Sequence, residues 1–213
     1  GIPLEGQARP YLIGRAALEG VICYGPDRGG EPSYVLLDDW VPYNDKVFPE
    51  HAPAELARRH LAAFGPATPD DLSAWSGLPL SGARSAWGKI QSELLELEVA
   101  GRRAWALATR APWLDDTIDQ APVVRLLAGF DTYLLGHRSR DDVVDPGFAR
   151  RVNAGGGIVN PTLVVDGRVV GTWKSERRRN MARVAVRPFD HLERDVEEEV
   201  RIEAVDIGRF LGM

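Results

Sequence analysis

The chain is poor in the residues that usually anchor reactive centres. It has 1 cysteine, 2 methionines and 4 histidines in 213 residues. A single thiol excludes an internal disulfide. Cys23, in the apolar run GVICYG, has no cationic neighbour or paired histidine to activate it, so it reads as a buried structural thiol. His51, His60, His137 and His191 show no metal-ligand spacing with one another or with Cys23, and no metal is expected. No apolar run is long enough to span a bilayer and no signal peptide opens the chain, which points to the cytoplasm with no membrane partner. NAGGGIVNP carries three consecutive glycines, but no Gly-Lys-Ser/Thr follows. It is not a phosphate loop, reads as a tight turn before a strand, and no cofactor is expected. Positive charge is also short: the net charge is −5 and the pI about 5.5. A uniformly basic nucleic-acid binder is excluded, so any such contact must come from local patches.

The composition, 44% hydrophobic and 27% charged, is that of a globular protein with room for one large or two small cores. The most informative local pattern is FGPATPDDLSAWSGLPLSGARSAWGKI, residues 64–90. Thr68 fits an N-cap, Pro69 the first helical position, and Asp70 and Asp71 the positive helix start. Gly77 permits a left-handed stop and Pro79 forbids continuation. Ser81 is the expected cap of a second helix, with Ala83, Trp87, Ile90 and Leu94 at helical spacing. The next segment, LLELEVAGRRAWALATR, alternates on both sides of Ala100-Gly101 and reads as a β-hairpin holding Arg102 and Arg103 at its tip. Helix-turn-helix plus hairpin is a winged helix. Arg84, Lys89, Arg102 and Arg103 would then meet phosphates or base edges, unless the unit is a protein-protein module in which they are solvated.

Residues 11–40 repeat the helix-then-hairpin order and read as the last helix and wing of an earlier, truncated unit. VPYNDKVFPEHAPA and APWLDDTIDQAP read as connectors, and PAELARRHLAAFG as the first helix of the central unit. The expected fold is α+β, tandem winged-helix domains with a strand-rich C-terminal part. Its divisions are residues 1–49 (end of a first winged helix), 50–112 (a second) and 113–213 (a third, winged-helix-like). In the last, Asp166-Gly167 is a hairpin turn, and a final helix over about 190–211 carries Leu192, Val196, Val200, Ile207 and Leu211. KSERRRN reads as the tip of another hairpin. There Lys174, Arg177, Arg178 and Arg179, with nearby Arg183, would enter a minor groove or contact phosphates, unless they pair with the carboxylate-rich C-terminal helix. GFDTYLLGHRSR adds Arg138 and Arg140 as DNA-binding candidates. Asp131 and His137 either position a water or an extruded base, or cap a turn and satisfy a backbone group. Trp75 and Trp87 sit at core spacing and are expected to pack.

In order along the chain, LAAFGPATPDDLSAWSGLP, GFDTYLLGHRSR, GGGIVNPTLVVDGRVVGTWK and the closing RFLG resemble the winged-helix DNA-binding family that includes the AlkZ-type DNA glycosylases. The resemblance spans nearly the whole chain. It implies three winged-helix units around a DNA-binding concavity, of which this chain holds the end of the first and all of the second and third. It also implies double-stranded DNA as partner, a monomer, and cofactor-free hydrolysis of the N-glycosidic bond of alkylated or crosslinked bases. The catalytic Gln-x-Gln or Gln-x-Asp motif of that family has no counterpart here: Gln7, Gln91 and Gln120 lack Gln or Asp two residues later. On this resemblance the motif lies upstream of Gly1 or the protein is a non-catalytic DNA binder; a protein-interaction scaffold is the remaining alternative.

Overall fold

The computed structural model describes residues 6–41, 48–114, 122–178 and 181–211, without the side chains of Arg177, Arg178 and Ala182. They form a mixed α/β structure in two compact units, residues 1–48 and 49–213.

In the first unit, helix α1 (Ala8–Leu18) ends before Gly20, whose φ of +72° closes the turn. Strands β1 (Ile22–Arg28) and β2 (Glu31–Leu36) follow, then the one-turn helix α2 (Leu37–Trp40). β1 runs on through Gly25-Pro26-Asp27 with a bulge before Arg28, so the turn lies only at Gly29-Gly30. The bulge absorbs Pro26 within β1. Cys23 is half-buried rather than fully buried.

The second unit opens with helices α3 (Ala52–Phe64), α4 (Pro69–Ser76) and α5 (Leu80–Lys89). Thr68 and Asp71 form a reciprocal capping box at the start of α4, and Gly77 ends it at φ +75°. Ser81 is not a cap: α5 starts at Leu80, two residues earlier than a Ser81 cap would place it, with Pro79 at the N-cap. Strands β3 (Leu94–Val99) and β4 (Arg102–Leu107) form the hairpin, turning at Ala100 and Gly101 with φ +50° and +74°. Ala67 makes a two-way backbone bridge to Trp105, which adds a third extended segment beside β4. Ala57, Leu61, Leu72, Ala83, Ala86, Trp87 and Ile90 are the core of this region.

The strand-rich part is a four-stranded antiparallel sheet of order β10-β9-β8-β5. Its members are β5 (Val124–Leu127), β8 (Thr162–Val165), β9 (Arg168–Arg178) and β10 (Met181–Pro188). Asp166 and Gly167 take φ +47° and +78° in the two-residue β8–β9 turn. Successive side chains of a strand face opposite ways. Leu163 accordingly joins a core under helix α7 (Arg194–Phe210), while Val164 joins a second core with Leu134, Val144 and Val152. The segment covering that second face holds the short helix α6 (Ala149–Val152) and a small hairpin of β6 (Asn153–Gly155) and β7 (Ile158–Val159). Gly155, Gly156 and Gly157 all have positive φ, and nothing lies within 4 Å of where a Cβ would sit. Backbone conformation, not packing, demands glycine there. α7 begins four residues later than 190: Asp190 lies in a bend, and the extended Glu193 is the N-cap.

Candidate nucleic-acid interface

Six of the candidate residues come together. Arg84 from α5, Arg102 and Arg103 from β4, and His137, Arg138 and Arg140 from the loop after residue 134 line one cleft of about 760 Å³. Its floor and rim also hold Pro66, Trp105, Tyr133 and the carboxylates Asp70, Asp71 and Asp142. The cleft exists because GFDTYLLGHRSR folds over the start of α4. His60, 1% exposed on α3, donates Nε2–H to the Gly136 carbonyl at 3.0 Å. His137 Nε2 lies 3.2 Å from the Pro66 carbonyl. The Arg138 amide donates to Asp71 Oδ1 at 2.9 Å, and the Arg138 guanidinium lies 3.1 Å from Asp70.

Asp71 is the hub of that joint. Its Oδ2 accepts the Thr68 amide at 2.8 Å and the Thr68 hydroxyl at 2.6 Å, while Oδ1 takes the Arg138 amide. Burial pushes its carboxyl up, but those donors outweigh it and hold the group below the usual carboxylate range. Burial pushes the pKa of the His60 imidazole below its ordinary value, and among the described residues its buried Nδ1 has no hydrogen-bond partner. The ring packs against Phe64 and Trp75, with centroids 5.2 and 5.3 Å away. Burial raises Tyr133, whose hydroxyl donates to the Gly167 carbonyl at 2.6 Å.

The other candidates fall elsewhere. Asp131 caps the turn at Thr132–Leu134 by accepting the Tyr133 amide at 2.9 Å. Lys89 donates to the Glu50 carbonyl at 3.0 Å and is not a cleft residue. Lys174, Arg177 and Arg178 are strand residues rather than a loop tip, because β9 runs through Arg178 and pairs it with Met181. Lys174 is 2.7 Å from Glu176, and Arg183 stands opposite Glu176 on β10. Arg179 lies outside the described residues. Trp87 is buried as expected, but Trp75 remains 39% exposed, since the His60–Phe64 pair covers only part of its ring.

The family profile "DNA glycosylase AlkZ-like" matches residues 4–210. The chain belongs to that family. It is 34% identical over 208 residues to the interstrand DNA cross-link repair glycosylase of Streptomyces sahachiroi, covering 92% of this chain and 53% of that protein. The solved structure of the Streptomyces sahachiroi DNA glycosylase AlkZ superposes with a TM-score of 0.75 at 32% identity, over 91% of this chain and 53% of that one. The AlkZ-like chain therefore spans about half the length of the relatives it matches. Its sequence does not single out Asp70, Asp71, Asp142 or Tyr133 as cleft residues. The acidic pair is visible in the sequence only as a helix start, and partners 40 to 68 residues away leave no periodic signal.

Proposed function

We propose that this AlkZ-like chain binds and positions double-stranded DNA within a DNA glycosylase, through winged-helix units to which residues 50–112 and 113–213 correspond. In this reading residues 1–49 are the end of a further unit. The observation that carries the proposal is the convergence of Arg84, Arg102, Arg103, Arg138 and Arg140 on one cleft in a chain whose net charge is −5. Such a concentration against an acidic background makes a local field suited to a phosphate backbone. The β9–β10 hairpin, with Lys174, Arg177, Arg178, Arg179 and Arg183, is the second point of attachment.

The hydrolytic step is assigned to no residue of this chain, which lacks the Gln-x-Gln or Gln-x-Asp pattern. Asp131 and His137 are given structural roles, as a turn cap and a backbone partner. The scaffold alternative needs the basic hairpin to pack on α7. Strands β9 and β10 do lie against α7, with Trp173, Val184 and Val186 in one core with Val196, Val200 and Ile207; among the described residues the α7 carboxylates Glu197, Glu198 and Asp206 pair with Arg201 and Arg209 of the same helix, and Glu203 with Arg125 of β5.

Fluorescence anisotropy of a short duplex across a salt series tests the reading. Wild type is expected to bind with a steep salt slope. Arg84→Ala/Arg103→Ala and Arg177→Ala/Arg178→Ala/Arg179→Ala should each weaken binding and flatten the slope by roughly one unit for every phosphate no longer neutralised. Absence of binding by wild type at low salt would remove DNA as the partner of this chain.

A further inference from the structure

Three of the five cleft arginines are already paired with carboxylates. Arg102 is ion-paired with Asp142 of the facing loop, Arg138 lies 3.1 Å from Asp70, and Arg103 lies 3.1 Å from Glu96 across the β3–β4 ladder. Arg84 carries no ion pair among the described residues. The first two pairs join groups far apart in sequence, 40 residues for Arg102 and Asp142 and 68 for Arg138 and Asp70. They are also wet: the side chains of Arg102 and Asp142 are 57% and 50% exposed, those of Arg138 and Asp70 70% and 38%. Exposed pairs contribute little to stability, so the joint does not depend on them. It rests instead on the buried His60–Gly136 hydrogen bond and on Asp71. What these carboxylates do change is the cleft's capacity for anions. A carboxylate and a phosphate use the same guanidinium fork in the same geometry.

We propose that Asp142 and Asp70 are built-in competitors for DNA phosphate. They hold Arg102 and Arg138 in place and suppress non-specific binding until several phosphates arrive together. The proposal rests on the reading that DNA phosphates enter this cleft. In the exchange, Arg102 trades the Asp142 carboxylate for a phosphodiester oxygen, no proton moves, and Asp142 returns to water and gathers a counter-cation. That cation uptake opposes the counterion release from DNA, so the intact pair should make the salt dependence shallower.

Duplex binding by the whole chain at low salt, measured by anisotropy for wild type, Asp142→Asn, Arg102→Ala and the double variant, decides the matter. Asp142→Asn is expected to tighten Kd about threefold and to steepen the salt slope. That gain should vanish in the Arg102→Ala background, which separates a specific pair from a general change in charge. Glu198→Gln removes the same charge from α7, where Glu198 pairs with Arg201, and is expected to leave Kd nearly unchanged. No gain, or a gain that persists without Arg102, would overturn the competitor role while leaving DNA binding intact. Absence of salt-sensitive duplex binding by wild type would overturn both.

Discussion

His60 shows how much a single side chain carries in this fold. It is almost wholly buried, donates to the Gly136 carbonyl, and leaves Nδ1 bare against Phe64 and Trp75. Protonation would place a charge there without a second partner. Its folded-state pKa lies below the ordinary 6.5, so the unfolded chain takes up a proton that the folded chain refuses. The stability that neutral His60 brings is present above that pH and is lost as pH falls through it. Asp71 also carries a lowered pKa, but its contribution begins to be lost only as pH falls to the ordinary carboxylate value of 3.8, well below where the loss from His60 begins. Urea unfolding at pH 7.5 and 5.5 should show lower stability at pH 5.5, a loss absent in His60→Gln. A loss of equal size in that variant would assign the effect elsewhere. Other residue-scale features of the joint leave no trace in the sequence. A Cβ on Gly136 would come 2.3 Å from Phe64, an approach that exists only once α3 and the 129–140 loop are packed together.

At the scale of elements, legibility follows locality. Thr68, Pro69 and Gly77 announce α4 because capping is settled within a turn of chain, and Asp166-Gly167 announces the β8–β9 turn because both positions need positive φ. Ser81 misleads because a hydroxyl near a helix start resembles a cap even when proline takes that place. KSERRRN misleads for a related reason: a charged run reads as a loop, yet the β9–β10 ladder carries strand pairing through Arg178. The Ala67–Trp105 bridge, spanning two helices, is invisible in the sequence. The β3–β4 turn yields a prediction of its own. Ala100 sits at φ +50°, a conformation that asparagine tolerates better than alanine. Ala100→Asn should raise the unfolding free energy by about 0.5 kcal/mol in chemical denaturation. A decrease would mean that the turn is not the tight form its positive φ values require.

At the scale of the whole molecule, the chain is acidic yet brings five arginines to one cleft. The family match accounts for the order of its motifs, and the fold accounts for the cleft: a helix-and-hairpin region and a sheet region meet where GFDTYLLGHRSR crosses α4. The basic members of the site are legible as charged positions in the sequence. The carboxylates opposite them are not, because tertiary ion pairs have no period. The central claim is that duplex DNA occupies this cleft, and hydrogen–deuterium exchange with and without a saturating short duplex tests it most directly. Added protection is expected in peptides covering residues 99–105 and 137–143, with a second footprint on the β9–β10 hairpin. Binding that leaves residues 99–105 and 137–143 unprotected would contradict the claim.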